Sequence, residues 1–420
     1  MRSSTEGVGR ARAIGLVRLI SQVRDRGGLA AARRATGRLA FVEVTSLSDP
    51  TVPTSGPAPR RTPLYDLHVE LGGRLVDFAG WSLPVQYPAG IMAEHRHCRT
   101  AAALFDVSHM AQVLIRGEGA APAFERLVPG DIVGLAEGDL RYTMLTNERG
   151  GVLDDLIAGR VPEGVLVVAN AARREADLAH MRQALEPEHP VEELEDRALL
   201  ALQGPRAAEV LGRLCPGSSG LAFMQTMTAK LGGEPCRIAR SGYTGEDGFE
   251  ISVAAADAVA LARHLLAEPE VAPAGLGARD SLRLEAGLCL YGHELTPDTT
   301  PVEAGLGWTI ARRRRSTRGF PGADVILRQL AAGPERKLVG IRPDGRAPAR
   351  EGTEIDDPAG RRIGTVTSGG FGPTVGGPVA LGYVRAEHAA PASPLQLSIR
   401  GKPHPAKVVA LPFVPHRYKR

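Results

Sequence analysis

Residues 150–157 read Gly-Gly-Val-Leu-Asp-Asp-Leu-Ile, and no other segment constrains the chain as much. Read as a strand, period-two alternation puts Val152, Asp154 and Leu156 on one face and Leu153, Asp155 and Ile157 on the other. Both faces are apolar, yet each carries a carboxylate. Asp is depleted in strands and an unpaired buried carboxylate is costly, so two broken local rules side by side mark a functional or strained place. The two side chains point oppositely, so only one of them easily faces a given cavity. The alternative is that both cap turns or pair with arginines, and the pattern alone does not choose between these readings.

Around this segment the elements alternate. Residues 141–145 and 152–157 read as a hairpin joined by Asn147-Glu148-Arg149-Gly150-Gly151. An apolar strand over 164–170 precedes a helix over about 173–185, and a strand over 198–202 stops at Gly204-Pro205. Helices are predicted over 94–104, 120–127 and 278–286, and strands over 236–240 and 249–253 around a Gly-rich turn. Past about residue 336 the segments 337–341, 364–367, 379–384 and 395–399 are short, β-prone and punctuated by Gly and Pro, which predicts an all-β C-terminal domain. The fold class is α+β, and 420 residues exceed one ordinary core, so two or three domains are expected.

Charge is distributed unevenly. Residues 1–60 hold ten arginines, no lysine and four acids, a local +6 within a chain of net +4, so the remainder is mildly acidic. That argues against nucleic acid, which calls for a basic folded face. The leader is Arg-rich and acid-poor, with an apolar stripe (Ile14, Leu16, Val17, Leu19, Ile20, Val23) between Arg12, Arg18 and Arg24. Its composition is that of a mitochondrial transit peptide, with a bacterial extension as the alternative. No apolar run reaches eighteen residues, so no membrane span is predicted. Cys98, Cys215, Cys236 and Cys289 lack CxxC spacing and read as reduced, buried thiols. His95, His97 and His109 lack a completing ligand, so no metal is expected. The four arginines 312–315 read as a solvated face, or else as a contact for an acidic protein partner. No GxGxxG, Walker-type or GxSxG motif is present.

Two further segments carry polar groups in suggestive places. In 249–253, Phe249, Ile251 and Val253 share a face, which sends Glu250 to the other side, toward solvent or a pocket. Arg279 and Arg283 lie at i,i+4 on one helical face and call for anionic partners, either acidic side chains or a ligand carboxylate.

Together these segments resemble the glycine cleavage T-protein family. The resemblance rests on Thr62-Pro63-Leu64-Tyr65-Asp66, Phe78-Ala79-Gly80-Trp81, the 104–110 run Leu-Phe-Asp-Val-Ser-His-Met, 150–156, Leu202-Gln203-Gly204-Pro205, 242–250, 278–290, Pro301-Val302-Glu303 and Thr365-Val366-Thr367-Ser368-Gly369. It runs from about residue 61 nearly to the end of the chain. It implies a three-domain cloverleaf around a central folate pocket: a folate-binding domain from 61–109 plus 197–288, an α+β domain from 110–196 plus 289–325, and a C-terminal β-barrel or jelly-roll-like domain from 326–420. The implied activity is transfer of the methylene group from an aminomethyl-lipoyl H-protein to tetrahydrofolate, with release of ammonia. Asp155 is the implied essential acid, and Met110, Tyr142, Val168, Asn170, Tyr243, Glu250, Arg279 and Tyr418 are implied to surround the folate. An ordinary carboxyl pKa lies far from neutrality, so an electrostatic role for Asp155 is the simpler expectation. The resemblance also implies the P- and L-proteins of the system as partners, a mitochondrial matrix location and a monomer outside the complex. Two related families fit less well: a folate-binding iron–sulfur assembly factor would carry Cys and Gln in 241–247, and a dimethylglycine or sarcosine dehydrogenase would carry a flavin fingerprint. A non-catalytic scaffold of the same fold is the third alternative.

Overall fold

The computed structural model describes residues 58–419, so the expected leader lies outside the described residues except for its last three positions. The Arg60–Arg61, Arg74–Phe78 and Trp81–Gln86 strands form a small three-stranded sheet, from which the chain enters the Ile91–Thr100 helix. A helix expected to run to residue 104 ends at Thr100, and Ala102–Asp106 is a strand instead. This strand lies between Arg197–Gln203 and Val271–Pro273 and is buried throughout. A continuous apolar run carries no periodicity that separates a helix end from an interior strand.

Ala102–Asp106 belongs to a six-stranded sheet that the chain builds in two visits. The order is Thr226–Leu231, Glu234–Ala239, Gly248–Ala254, Arg197–Gln203, Ala102–Asp106, Val271–Pro273. Between the visits the chain makes a five-stranded sheet in the order Leu140–Thr146, Val152–Val161, Gly164–Ala169, Ala111–Arg116, Val191–Glu193. Each sheet buries one face against helices. On the first, Leu200, Leu202, Phe249, Ile251 and Val253 meet Val210, Leu211, Leu261 and Leu265. The Ala258–Leu266 helix forms because Ala258, Leu261, Ala262 and Leu265 recur at i, i+3, i+4 and i+7. On the second, Val113, Ile115, Leu156, Val165 and Val167 meet Leu178, Met181 and Leu185. Each such side chain contributes about 1.5–3 kcal/mol by leaving water, and Phe249→Ala alone would cost about 3–5 kcal/mol.

The C-terminal region is a closed six-stranded barrel in the order Arg336–Pro343, Gly377–Arg385, Arg362–Gly372, Glu354–Asp356, Pro394–Ile399, Lys402–Val409. Arg283 ties the barrel to the Leu276–Glu285 helix, donating to Ser368 Oγ at 2.9 Å and to Glu294 Oε2 at 2.8 Å. The tail then returns to the first sheet's domain. Val414 N–H donates to Glu285 O at 2.9 Å, Arg417 N–H to Gly245 O at 2.8 Å, and Phe223 N–H to Lys419 O at 3.0 Å. Among the described residues no helix is long and apolar enough to cross a membrane.

Candidate functional site

The hairpin leading to the paired carboxylates turns through Gly150, whose φ of 81° is open to glycine and strained for other residues. A Cβ on Gly151 would lie 1.8 Å from Pro297 O, so this position admits only glycine. The strand that follows, Val152–Val161, runs between Leu140–Thr146 and Gly164–Ala169. Alternation then separates the two acids. Asp154 shares the core face with Val152 and Leu156 and is 0% exposed. Asp155 lies on the opposite face with Ile157, which lines a cavity, and keeps part of its surface accessible.

Asp155 accepts two side-chain hydrogen bonds, from Tyr142 Oη at 2.9 Å and from Asn170 Nδ2 at 3.0 Å. Burial first, and the charge of Asp154 second, push its carboxyl up to about 7, against the pull of these donors. Its surroundings thus place its proton exchange near neutrality, where general acid–base work is efficient as well as electrostatic positioning. The expectation drawn from an ordinary carboxyl did not anticipate this, because it depends on tertiary burial. The ring of Tyr142 stacks on Trp308 at 5.9 Å and 24°, and Trp308 is 66% exposed. A surface indole therefore leads through one phenol to the carboxylate. No periodicity or motif in the sequence pointed to Trp308.

The other wall comes from the first sheet. Because Phe249 and Ile251 are core, Glu250 is turned away from them and faces the cavity rather than solvent. It accepts from Ser241 Oγ at 2.6 Å. Glu250, Ser252 and Leu199 from this sheet and Gln112, Ile157 and Val168 from the second line one cavity of about 410 Å³, counting its open mouth. Its walls have the character of a small-molecule site, apolar with a few converging polar groups.

Arg279 stands beside this wall, its guanidinium over the Tyr243 ring at 4.8 Å and its Nη2 3.9 Å from Met110 Sδ. It makes no ion pair with Glu250, although the charge of Glu250 acts on it. Its Nη1 is sealed from solvent and has no hydrogen-bond partner, a donor left for an anionic or carbonyl group. Arg283, one turn on, is instead used up by Asp280, Glu294 and Ser368. Tyr243 Oη donates to Cys289 O, and Tyr243 and Cys289 both feel the charge of Asp155. Tyr418 stacks on Phe223 at 4.1 Å, beside Met224, whose carbonyl accepts from Leu140 N–H at 2.8 Å. The structure thus groups Asp155, Tyr142 and Asn170; Glu250 and Val168; and Met110, Tyr243 and Arg279, with Tyr418 at the returning tail. All nine keep partial accessibility, and of them Val168 and Glu250 line the cavity.

Other polar clusters have structural partners. His95 meets Ser281 Oγ at 2.7 Å and Glu285 Oε2 at 3.1 Å, whereas His97 meets Glu270 O at 2.9 Å. Among the described residues no three His, Cys, Asp or Glu are placed to hold a metal. The four thiols are free and buried. The arginine run is in part the solvated face expected of it: Arg312, Arg313 and Arg315 are exposed, and Arg314 is not. Arg314 is buried and donates to the carbonyls of Glu125, Val128 and Gly319, Arg313 pairs with Glu125 and Asp131, and Arg315 donates to Ile310 O at 2.9 Å. Arg313, Arg314 and Arg315 nonetheless hold the Arg312–Thr317 helix to the second sheet's domain and its own loop, the buried Arg314 through three carbonyls.

Residues 64–314 match the family model described as the GCVT N-terminal domain, and residues 336–415 match the glycine cleavage T-protein C-terminal barrel domain. The chain is similar to the mitochondrial aminomethyltransferase of Gallus gallus, 47% identical over 369 residues that cover 86% of this chain and 93% of that protein. It is also similar to the mitochondrial aminomethyltransferase of Mesembryanthemum crystallinum, 45% identical with 86% and 90% covered. Among solved structures it superposes on the glycine cleavage system aminomethyltransferase T of Bartonella henselae with a TM-score of 0.82 and 45% identity, covering 86% of this chain and 99% of that one.

Proposed function

The chain belongs to the glycine cleavage T-protein family and is an aminomethyltransferase of the glycine cleavage system; from that premise we propose that tetrahydrofolate binds between the two sheets and that Asp155 is the catalytic acid. The co-substrate supplies the nitrogens that accept the one-carbon unit arriving as an aminomethyl group on a lipoyl sulfur of the H-protein. The residues fit such a ligand. A flat pterin with several N–H donors matches a carboxylate acceptor, Glu250, set among Val168, Ile157 and Leu199. Arg279 offers its unpartnered Nη1 beside Glu250 and Met110.

Positive charge develops near the reacting carbon and the departing ammonia. Asp155, held by Tyr142 and Asn170, stabilises that charge without having to reorient. Its carboxyl, raised to about 7, also lets it take and return a proton at physiological pH. The observation that carries this reading is the separation of the pair: Asp154 is sealed in the core, and Asp155 shares its face with the cavity-lining Ile157. We also propose the lipoylated H-protein as carrier, the P- and L-proteins as further partners, a monomer between encounters and a location in the mitochondrial matrix. The mitochondrial names of the relatives support that location. Mixing the protein with tetrahydrofolate and aminomethyl-loaded H-protein and assaying ammonia tests the activity. Release that does not depend on folate would refute it.

A further inference from the structure

Asp154 is the member of the pair that the mechanism leaves unused. It is 0% exposed on the second sheet's core face. Facing it, Asp177 occupies the buried stripe of the Arg174–Leu185 helix with Leu178, Met181 and Leu185, and is 2% exposed. Among the described residues neither carboxylate forms an ion pair. Arg173, whose charge reaches Asp177, stands over the Tyr291 ring at 5.4 Å instead. Two touching acids without a counterion, both out of water, do not both ionise, so the pair retains a proton. Burial raises both carboxyls accordingly.

Asn170 holds Asp154 on its other side. Its backbone N–H donates to Asp154 Oδ2 at 3.1 Å and its Nδ2 to Asp154 Oδ1 at 2.9 Å, so both oxygens of Asp154 act as acceptors. Nδ2 also faces Asp155, with Oδ1 and the carbonyl oxygen each 3.0 Å away. Turning the amide over would set its own oxygen against two carboxylates, which fixes its orientation. Asn170 lies two residues beyond the cavity-lining Val168 and is partly accessible.

We propose that Asp154 is a positioning residue that locks the Asn170 amide with Nδ2 against Asp155, leaving Oδ1 to accept an N–H of the bound folate. This rests on the cavity being the folate site. It gives the first Asp of the motif a role that its position, sealed away from any substrate, would otherwise not explain. The other titratable groups whose charge acts around Asp155 are Tyr142, Tyr243, Tyr291 and Cys289, all pushed above their ordinary values, so near neutrality only the three aspartates exchange protons there.

The test measures folate KM, kcat and the pH profile of kcat for Asp154→Asn, Asn170→Ala and Asp155→Asn, with far-UV circular dichroism on each. Asp154→Asn sets a donor against Asn170, and folate KM rises about tenfold or more. It also removes a negative charge beside Asp155, so the acid limb of kcat moves to lower pH, a change that mere loosening of the fold does not produce. Asn170→Ala reproduces the KM rise and serves where Asp154→Asn does not fold. A wild-type KM and unmoved acid limb in Asp154→Asn, or a wild-type KM in Asn170→Ala, each overturns the inference. A fully active Asp155→Asn sinks the catalytic reading itself, whereas an inactive Asp155→Asn beside an unaltered Asp154→Asn sinks only the positioning role.

Discussion

Replacing Asp155 with Asn should stabilise the protein at alkaline pH while stopping turnover. The carboxyl is raised from 3.8 to about 7, by burial first and by Asp154 second. A folded pKa above the unfolded one means that the folded state holds the proton more tightly. The contribution of this group to stability is therefore fully present below the unfolded value of 3.8 and is lost as pH rises through about 7. At about 1.36 kcal/mol per unit, the full shift corresponds to about 4 kcal/mol, reduced to about 2–4 kcal/mol because the side chain still touches solvent. Asn carries no such dependence. It still accepts from Tyr142, but it turns an NH₂ group toward Asn170, at a cost of about 1–2 kcal/mol at any pH. Urea unfolding of both proteins should show the variant gaining about 1–3 kcal/mol on the wild type between about pH 5 and pH 8. Turnover should fall by about a hundredfold or more. A stability difference that stays flat with pH would mean that the carboxyl does not pay a burial penalty, and the account of its raised pKa would fail.

Three other outcomes follow from the same geometry. Glu250→Gln keeps the shape of the cavity but removes the charge from the acceptor, so tetrahydrofolate Kd by calorimetry should weaken by about 10–100-fold with little change in Tm. Trp308→Ala removes the ring that covers Tyr142; steady-state kinetics should show a loss in kcat/KM of about 3–10-fold, in keeping with a stacked pair worth about 0.5–1.5 kcal/mol. Arg314→Ala strips the donor from the carbonyls of Glu125, Val128 and Gly319, so unfolding free energy should drop by about 2–4 kcal/mol while the H-protein KM stays near wild type.

Much of this protein was legible without coordinates. The α+β class and the terminal β domain follow from patterning, because turn residues and β-prone runs act locally. Alternation likewise assigned Asp154 and Asp155 to opposite faces before any sheet was in view, since a strand's period depends only on its own backbone. The Gly-Gly turn before them also belongs to the sequence. What alternation leaves open is which face meets a cavity, and that depends on the first sheet packing across from the second and on the Arg174–Leu185 helix covering Asp154. Glu250 shows the same division: its strand sent it away from Phe249, but only the facing sheet turned that side into a pocket instead of solvent.

Long-range neighbours decided the rest. Arg314 looked like part of a solvated run because the sequence does not show that the carbonyls of Glu125, Val128 and Gly319 lie within its reach. Trp308 carried no signal, since an exposed aromatic becomes meaningful only when Tyr142 lies beneath it. The raised pKa of Asp155 and the proton shared by Asp154 and Asp177 belong to the same class. Local sequence determines which groups a strand presents and on which side. Only tertiary packing determines what faces them, how much water remains, and therefore whether a carboxylate is an ordinary anion or one that exchanges its proton near neutrality.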